Sequence, residues 1–255
     1  MTRMNTAGLT DAHIAPLVRA LSPEDLTIDD VWDRFARVAW STIAEPGDRQ
    51  AGELVGAVGA LRAWRLVARG AAPEELAKQV DGSASAGAEG RSGERRDPWT
   101  QAVQRWQPRL SPQLALRALT QGARFGMRLL VPGDPAWPVQ VGDLQAHAPI
   151  VLWVRGDADG LGEPAPAIAL VGARAATGYG EHVAIEASAG LVDRGFTIVS
   201  GGAYGIDSAA HRAALASTGR TLAVLAGGLD RFYPPGNEQL IGRIAERGAV
   251  VAEVP

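Results

Sequence analysis

Apolar positions recur at helical spacing through the first half of the chain and gather into short unbroken runs in the second half. Apolar side chains that return every three or four residues predict amphipathic helices with one face in a core. Pro73 and the two glutamates after it favour a helix N-terminus. Helices are predicted to begin near Asp30, Gly52 and Ala72, and to span 99–107 and 111–122.

This pattern predicts a domain order for the first half of the chain. Residues 1–80 are expected to form a small all-helical domain, whose first 28 residues are weakly patterned. Residues 81–98 have few apolar side chains and many glycines, serines and charges, which is typical of a flexible linker or loop. Residues 99–126 are expected to be connecting helices that lead to a second domain, 127–255.

From residue 127 onward the period changes to strand, glycine turn and helix, repeated. That order predicts an α/β domain with an extended Rossmann-like, mostly parallel sheet and helices on both faces. Parallel strands are predicted at 167–171, 196–199, 221–225 and 249–252, with helices at 179–194, 206–217 and 237–247. The unbroken apolar run 167–171 is expected to be a buried strand. Strands at 127–131 and 150–154 are expected to extend one edge of this sheet.

Three turns follow the predicted parallel strands: Gly172–Arg174, Ser200–Asp207 and Gly227–Pro235. Ligands of open α/β sheets bind at the carboxyl ends of the strands, where these turns lie. Glycines let the backbone of the second turn approach a ligand, and the helix that follows favours an anion at its start. The sequence therefore predicts a phosphate seat made of backbone, with the Ser200 hydroxyl as an added donor. The glycine spacing matches neither the dinucleotide fingerprint nor a P-loop.

Asp207 and His211 are four residues apart on one predicted helix, so they can face the same way. One interpretation is a general base with its orienting acid. The other is that Asp207 caps the helix and His211 is held by a buried hydrogen bond. Asn237 is expected to cap the last helix.

Charged and aromatic residues are predicted to meet at the same sheet edge. Arg174 follows the first core strand, and the third turn carries Asp230, Arg231, Phe232 and Tyr233. An arginine and aromatic rings beside an anion seat suit a single nucleic-acid strand, because bases stack on rings while arginine neutralises phosphate. The alternatives are a surface ion pair for Arg174 and a third turn in which Tyr233 only packs the loop.

Composition restricts this picture without deciding it. The formal net charge is −3, and residues 167–251 hold no basic surplus, so any grip on nucleic acid must be local. The chain has no cysteine, which excludes disulfides and thiolate metal sites and fits the cytoplasm. No apolar run is long enough for a membrane span, and no cofactor or metal is expected.

Taken together, three motifs resemble the DNA-processing protein A family (DprA, also called Smf). They are Val171–Arg174, Val199–Asp207 with His211, and Gly228–Asn237. The resemblance is close over 128–255, and 40–48 looks like the family's helical, SAM-like N-terminal domain. It implies a non-enzymatic protein that binds single-stranded DNA, protects incoming DNA in natural transformation, helps to load RecA and forms homodimers.

Site residues follow from the resemblance by position. The phosphate pocket would comprise Gly172, Ala173, Arg174, Ser200, Gly201, Gly202 and Ala203. Arg231 and Phe232 would lie in a neighbouring loop that contacts DNA. Supporting roles fall to Gly205, Asp207, His211, Asp230, Tyr233 and Asn237.

The chain departs from the family pattern at two places. Many members have serine where this chain has Ala173, and the family continues past this sequence with a basic segment and more sheet. We therefore expect the second domain to be incomplete at its C-terminus. A competing interpretation is a nucleotide hydrolase of the lysine-decarboxylase-like (phosphoribohydrolase) type, whose glycine motif is similar. In that case Asp207 would lie near the place of the catalytic glutamate.

Overall fold

A computed structural model describes residues 8–22, 25–82, 97–163 and 166–255. The chain forms two compact units: 1–123 with 140–151, and 124–139 with 152–255. The predicted linker at 81–98 falls mostly outside the described residues. Within the described ranges, no helix is long and apolar enough to cross a bilayer.

The first unit is helical, as the apolar spacing predicts. Its helices are α1 (Asp11–Arg19), α2 (Ile28–Ile43), α3 (Arg49–Val58), α4 (Ala60–Ala68), α5 (Pro73–Asp81), α6 (Pro98–Trp106) and α7 (Pro112–Arg124). The single helix predicted to begin near Gly52 is two helices, α3 and α4, because Gly59 adopts a φ of +80° between them. Helix α1 was not predicted, because the first 28 residues are weakly patterned.

Tryptophans fill the core of this unit. Trp40 and Trp106 are fully buried and meet edge to face, with ring centroids 5.1 Å apart. Their indole N–H groups donate to the Ala60 carbonyl oxygen at 3.2 Å and to Asp48 Oδ2 at 3.0 Å. A buried indole N–H without a partner would be costly, so these bonds fix how the helices pack around the rings.

The second unit is built on a six-stranded sheet. Its strands are β1 (Arg128–Leu130), β2 (Leu152–Gly156), β3 (Ala167–Ala169), β4 (Thr197–Ser200), β5 (Thr221–Val224) and β6 (Ala249–Ala252). The order is β1-β2-β6-β5-β4-β3, with β3 to β6 parallel and β1 and β2 antiparallel at one edge. The mixed α/β class and the position of the two added strands are therefore confirmed.

Helices α8 (Gly178–Val192), α9 (Ile206–Ala216) and α10 (Glu238–Arg247) connect the parallel strands. Helix α9 contacts both α8 and α10, so the three lie side by side. Successive strands advance in one direction, and right-handed crossovers then place their helices on one face. Helices were expected on both faces of the sheet. On strand β5, however, the Val224 side chain is 48% exposed, so no helix of the described residues covers that face of the strand.

The prediction of a buried strand at 167–171 is wrong. Strand β3 spans Ala167–Ala169 at the sheet edge, both end residues are exposed, and Val171 beyond it is 71% exposed. An unbroken apolar run usually marks a parallel strand that is covered on both faces, whereas β3 is an edge strand that pairs with β4 alone among the described strands.

Candidate nucleic-acid interface

The first two predicted turns lie against each other at the carboxyl ends of β3 and β4. The Ile206 N–H donates to the Ala173 carbonyl oxygen at 3.2 Å. Gly205 has a φ of +72°, and a Cβ there would lie 2.3 Å from the same oxygen. A glycine is therefore required at 205 both for its conformation and for the close approach. The structure brings these sequence-predicted residues together.

The two turns present backbone donors at this edge. Within the described part of the chain, the N–H groups of Gly172–Arg174, Gly202 and Tyr204 make no hydrogen bond to the protein. The Ala203 N–H instead donates to Asp207 Oδ2 at 3.3 Å. Free N–H groups beside a helix N-terminus suit an anion, so the arrangement can hold a phosphate without a side-chain donor.

Arg174 supplies the positive charge at these turns. The residue is exposed, and its guanidinium makes no hydrogen bond or ion pair with any described residue. Arg220, by contrast, immediately precedes β5 and so lies at the amino ends of the parallel strands. It forms ion pairs with Asp157, at 2.8 Å, and with Glu163. The predicted alternative of a surface ion pair for Arg174 is therefore not seen.

The Ser200 hydroxyl is buried and bonded to backbone, which differs from the expectation of an added donor at the surface. Ser200 is 2% exposed, and its Oγ donates to the Leu170 carbonyl oxygen. This bond ties the end of β4 to the end of β3. At the carboxyl ends of β3 and β4, the backbone of the turn is therefore available to a ligand, and this hydroxyl is not.

Asp207 and His211 hold the second turn from inside. His211 is 1% exposed; its Nε2 lies 2.9 Å from the Gly201 carbonyl oxygen and its Nδ1 2.7 Å from Thr221 Oγ1. Burial lowers the pKa of the imidazole, and it outweighs the bond to Gly201 and the Asp207 charge, which both raise that pKa. The buried hydrogen bonds expected of His211 are present, but Asp207 does not cap α9: it lies in the first turn of the helix and accepts from the Ala203 N–H. The acid–base interpretation finds no support in the geometry.

Asn237 occupies the N-cap position of α10, as predicted, but its side chain makes no capping hydrogen bond. It is buried, and its Nδ2 donates to the carbonyl oxygens of Gly202 and Ala203 at 2.9 and 3.0 Å. The side chain thus fastens the third turn to the second. A cap and such a cross-link both need a polar side chain before a helix, so the sequence pattern alone does not separate them.

The third turn divides its residues between surface and interior. Asp230, Arg231 and Tyr233 are exposed, and Arg231 makes no bond to a described residue. Phe232 is only 7% exposed, so its expected role as a ring for base stacking does not agree with the structure.

Phe232 packs against Arg155, a residue that the sequence did not single out. Its guanidinium carbon lies 4.5 Å from the Phe232 ring centroid, and its Nη1 donates to the Leu229 carbonyl oxygen at 3.0 Å. Burial lowers the pKa of Arg155, although the group remains charged at neutral pH. Arg155 follows the apolar run of β2 with no motif around it, so no local signal separates it from a surface arginine.

Comparison with known proteins identifies the family. Residues 128–255 match the family of DNA recombination-mediator protein A. The chain belongs to this family. It is 43% identical over 231 residues to a DNA processing protein DprA of Mycobacterium tuberculosis (strain ATCC 25618 / H37Rv), which covers 85% of this chain and 52% of that protein. The chain therefore spans about half the length of that relative.

Two further comparisons extend the likeness, one in sequence and one in fold. DNA processing protein DprA of Streptococcus pneumoniae (strain ATCC BAA-255 / R6) is 38% identical over 120 residues, which cover 47% of this chain and 41% of that protein. The X-ray structure of DprA from S. pneumoniae superimposes with a TM-score of 0.58 at 23% identity, over 90% of this chain and 68% of that chain. This second likeness concerns the fold alone.

Proposed function

We propose that the α/β unit binds single-stranded DNA through its phosphates at the Gly172–Arg174 and Gly201–Ala203 turns. The observation that carries the proposal is the exposed Arg174 guanidinium, unpaired among the described residues, beside turns in which the N–H groups of Gly172–Arg174 and Gly202 are free. Arg231 adds a second exposed cation from the third turn. Contacts of this kind fix a strand by its backbone and do not read its sequence.

The strength of such binding is limited by the charge of the chain. With a formal net charge of −3, the chain has no overall electrostatic attraction for DNA, so binding must come from a local site. Each phosphate contact to a single strand contributes a slope of about −0.7 to log K against log salt. Two arginine contacts therefore predict a slope of about −1.4, which is small for a DNA-binding protein.

In this proposal the chain acts by binding, not by catalysis. A hydrolase of the phosphoribohydrolase type needs a carboxylate free to reach its substrate, and Asp207 is the candidate for that place. Asp207 is 7% exposed and accepts a hydrogen bond from the Ala203 N–H. Membership in a recombination-mediator family also favours the DNA-binding role over the hydrolase.

The wider role is proposed for the whole protein, because the chain spans about half of its M. tuberculosis relative. As a recombination mediator it would protect incoming single strands in natural transformation and help to load a RecA-type recombinase in the cytoplasm. We also propose a homodimer as its working form. The family description supports the recombination role.

The test is a fluorescence-anisotropy titration of labelled oligo-dT with the purified chain at two salt concentrations, with duplex DNA of equal length as the comparison. We expect salt-sensitive binding that is weaker for the duplex. AMP serves as the competitor, since a nucleotide hydrolase would bind it. Competition by micromolar AMP, or absence of DNA binding by a folded chain, would contradict the proposal.

A further inference from the structure

The chain has three tyrosines, and each follows a different parallel strand at or before the start of the next helix. Tyr179 follows the first turn, Tyr204 lies in the second and Tyr233 in the third. Their side chains are 79%, 47% and 69% exposed, respectively. The seven tryptophans, in contrast, are all buried. Exposed aromatic residues among those described are thus confined to the ends of the strands that carry the candidate phosphate seat.

Contacts between the turns place two of these tyrosines together. The Gly236 N–H donates to Tyr204 Oη at 3.2 Å, and a Cβ on Gly236 would lie 3.0 Å from the ring atom Cε1. The ring of Tyr204 therefore lies over the third turn. A Cβ on Gly202 would lie 3.2 Å from the Tyr233 carbonyl oxygen, so the backbone of Tyr233 borders the seat.

Tyr179 belongs to the same edge. It precedes Gly180, and a Cβ on Gly180 would lie 3.5 Å from Cδ1 of Ile206. Ile206 begins α9 only two residues after Tyr204. Thr177 holds the start of α8 in place by accepting the Gly180 N–H at 3.1 Å. Tyr204 and Tyr233 therefore border the phosphate seat, and Tyr179 lies at the start of α8, which packs against the start of α9 beside the seat.

We propose that Tyr179, Tyr204 and Tyr233 form a stacking surface for the unpaired bases of a strand whose phosphates occupy the seat. The inference rests on the proposed function and adds the source of its preference for single strands. Backbone donors and arginine would bind the phosphates of a duplex as well. Bases stack on an exposed ring only when they are not already stacked in a duplex, and every base offers such a face.

A pair of oligonucleotides separates stacking from phosphate binding: oligo-dT and an abasic strand of the same length, each titrated by anisotropy. Stacking on one ring contributes about 1–3 kcal/mol, so the chain should bind oligo-dT about 5- to 150-fold more tightly than the abasic strand. Tyr233→Ala and Tyr204→Ala should each lose much of that ratio by weakening oligo-dT binding alone. The corresponding Tyr→Phe variants keep the ring and should keep the ratio.

Tyr204 needs the phenylalanine variant for a second reason, because its hydroxyl also accepts the Gly236 N–H. A loss shared by Tyr204→Phe and Tyr204→Ala would assign the effect to this bond and remove Tyr204 from the surface. Leu144→Ala is the matched control: its side chain is 54% exposed and lies in the helical unit, so it should change neither affinity.

The outcomes separate this inference from the proposed function. Salt-sensitive binding of both strands, with a ratio unchanged by any Tyr→Ala variant, would overturn the stacking surface and leave the phosphate seat in place. Failure of the wild-type chain to bind either strand would overturn both. Photo-cross-linking with a 5-iodouracil strand gives an independent result: cross-linked peptides should contain Tyr179, Tyr204 or Tyr233, and adducts confined to other residues would contradict the inference.

Discussion

His211 shows how much of the candidate site is held by buried polar groups. The Gly201 carbonyl oxygen only accepts, so Nε2 must carry the proton in their 2.9 Å hydrogen bond. The other ring nitrogen, Nδ1, lies 2.7 Å from Thr221 Oγ1, and that hydroxyl donates to the Ile198 carbonyl oxygen at 2.9 Å. The histidine thereby links the second turn to strand β5.

This arrangement predicts that acid destabilises the fold through His211. Burial lowers the pKa of the folded-state imidazole, whereas the unfolded chain keeps a value of about 6.5. Below about pH 6.5 the His211 ring takes up a proton in the unfolded chain but resists it in the folded chain. The free energy of unfolding therefore decreases as the pH is lowered, by at most about 1.4 kcal/mol per pH unit. Urea unfolding at pH 7.5 and 5.5 measures this loss.

Two variants isolate the contribution of the buried ring. His211→Gln should be less stable at pH 7.5 by about 1–3 kcal/mol, because a buried partner is lost, and should lose less of its remaining stability at pH 5.5. His182→Gln is the control, since His182 is exposed. An equal pH dependence in all three proteins would show that His211 does not resist protonation.

At the scale of elements, the sequence predicted the order of helices and strands well and their surroundings less well. Glycines mark the ends of helices and strands in the second half of the chain. The predicted bounds of α9, α10 and β6 therefore agree with the structure to within one or two residues. Burial was harder to predict, as α8 shows. The large apolar Val183 is 46% exposed, whereas the small Ala184 and Ser188 are buried. Ser188 Oγ donates to the Ala210 carbonyl oxygen at 2.8 Å, which requires α9 to be close.

Gly205 and Gly178, which both lie at the start of a helix, test whether the second turn requires a glycine at position 205. Gly205→Ala would place a Cβ 2.3 Å from the Ala173 carbonyl oxygen at a φ of +72°, and we expect it to destabilise the fold by about 2 kcal/mol or more. Gly178, the first residue of α8, has no atom within 4 Å of a Cβ, so Gly178→Ala should be neutral or slightly stabilising. Urea midpoints of the two variants compare them directly; equal midpoints would remove the close approach from the account.

At the scale of the whole molecule, the chain leaves the helical unit after α7 and returns to it at 140–151. No motif in the sequence indicated this return, because the contacts that make it are with backbone. Arg37 Nη1 donates to the Ile150 carbonyl oxygen at 3.0 Å, and His147 Nδ1 lies 2.8 Å from the Gly47 carbonyl oxygen. Such contacts depend on tertiary structure and leave no periodic signal in the sequence.

Two glycines of α3 test this return. A Cβ on Gly52 would lie 1.9 Å from the Ala146 carbonyl oxygen, whereas a Cβ on Gly56 meets nothing within 4 Å. Gly52→Ala should therefore lower the free energy of unfolding by about 2 kcal/mol or more, and expose 140–151 to limited proteolysis. Gly56→Ala should raise that free energy by about 0.5–1 kcal/mol. A Gly52→Ala protein as stable and as protease-resistant as the Gly56 variant would contradict the docking of this segment.

The central claim is that Arg174 and the turns beside it bind the phosphates of a single strand. The measurement that tests it most directly is the salt dependence of oligo-dT affinity for the wild-type chain, Arg174→Ala and Arg247→Ala. Arg247 is exposed and ends α10 at the opposite end of the strands, so its variant removes the same charge away from the site. We predict that Arg174→Ala weakens binding and flattens the slope of log K against log salt by about 0.7, while Arg247→Ala leaves the slope unchanged. Equal slopes for all three proteins would contradict the claim.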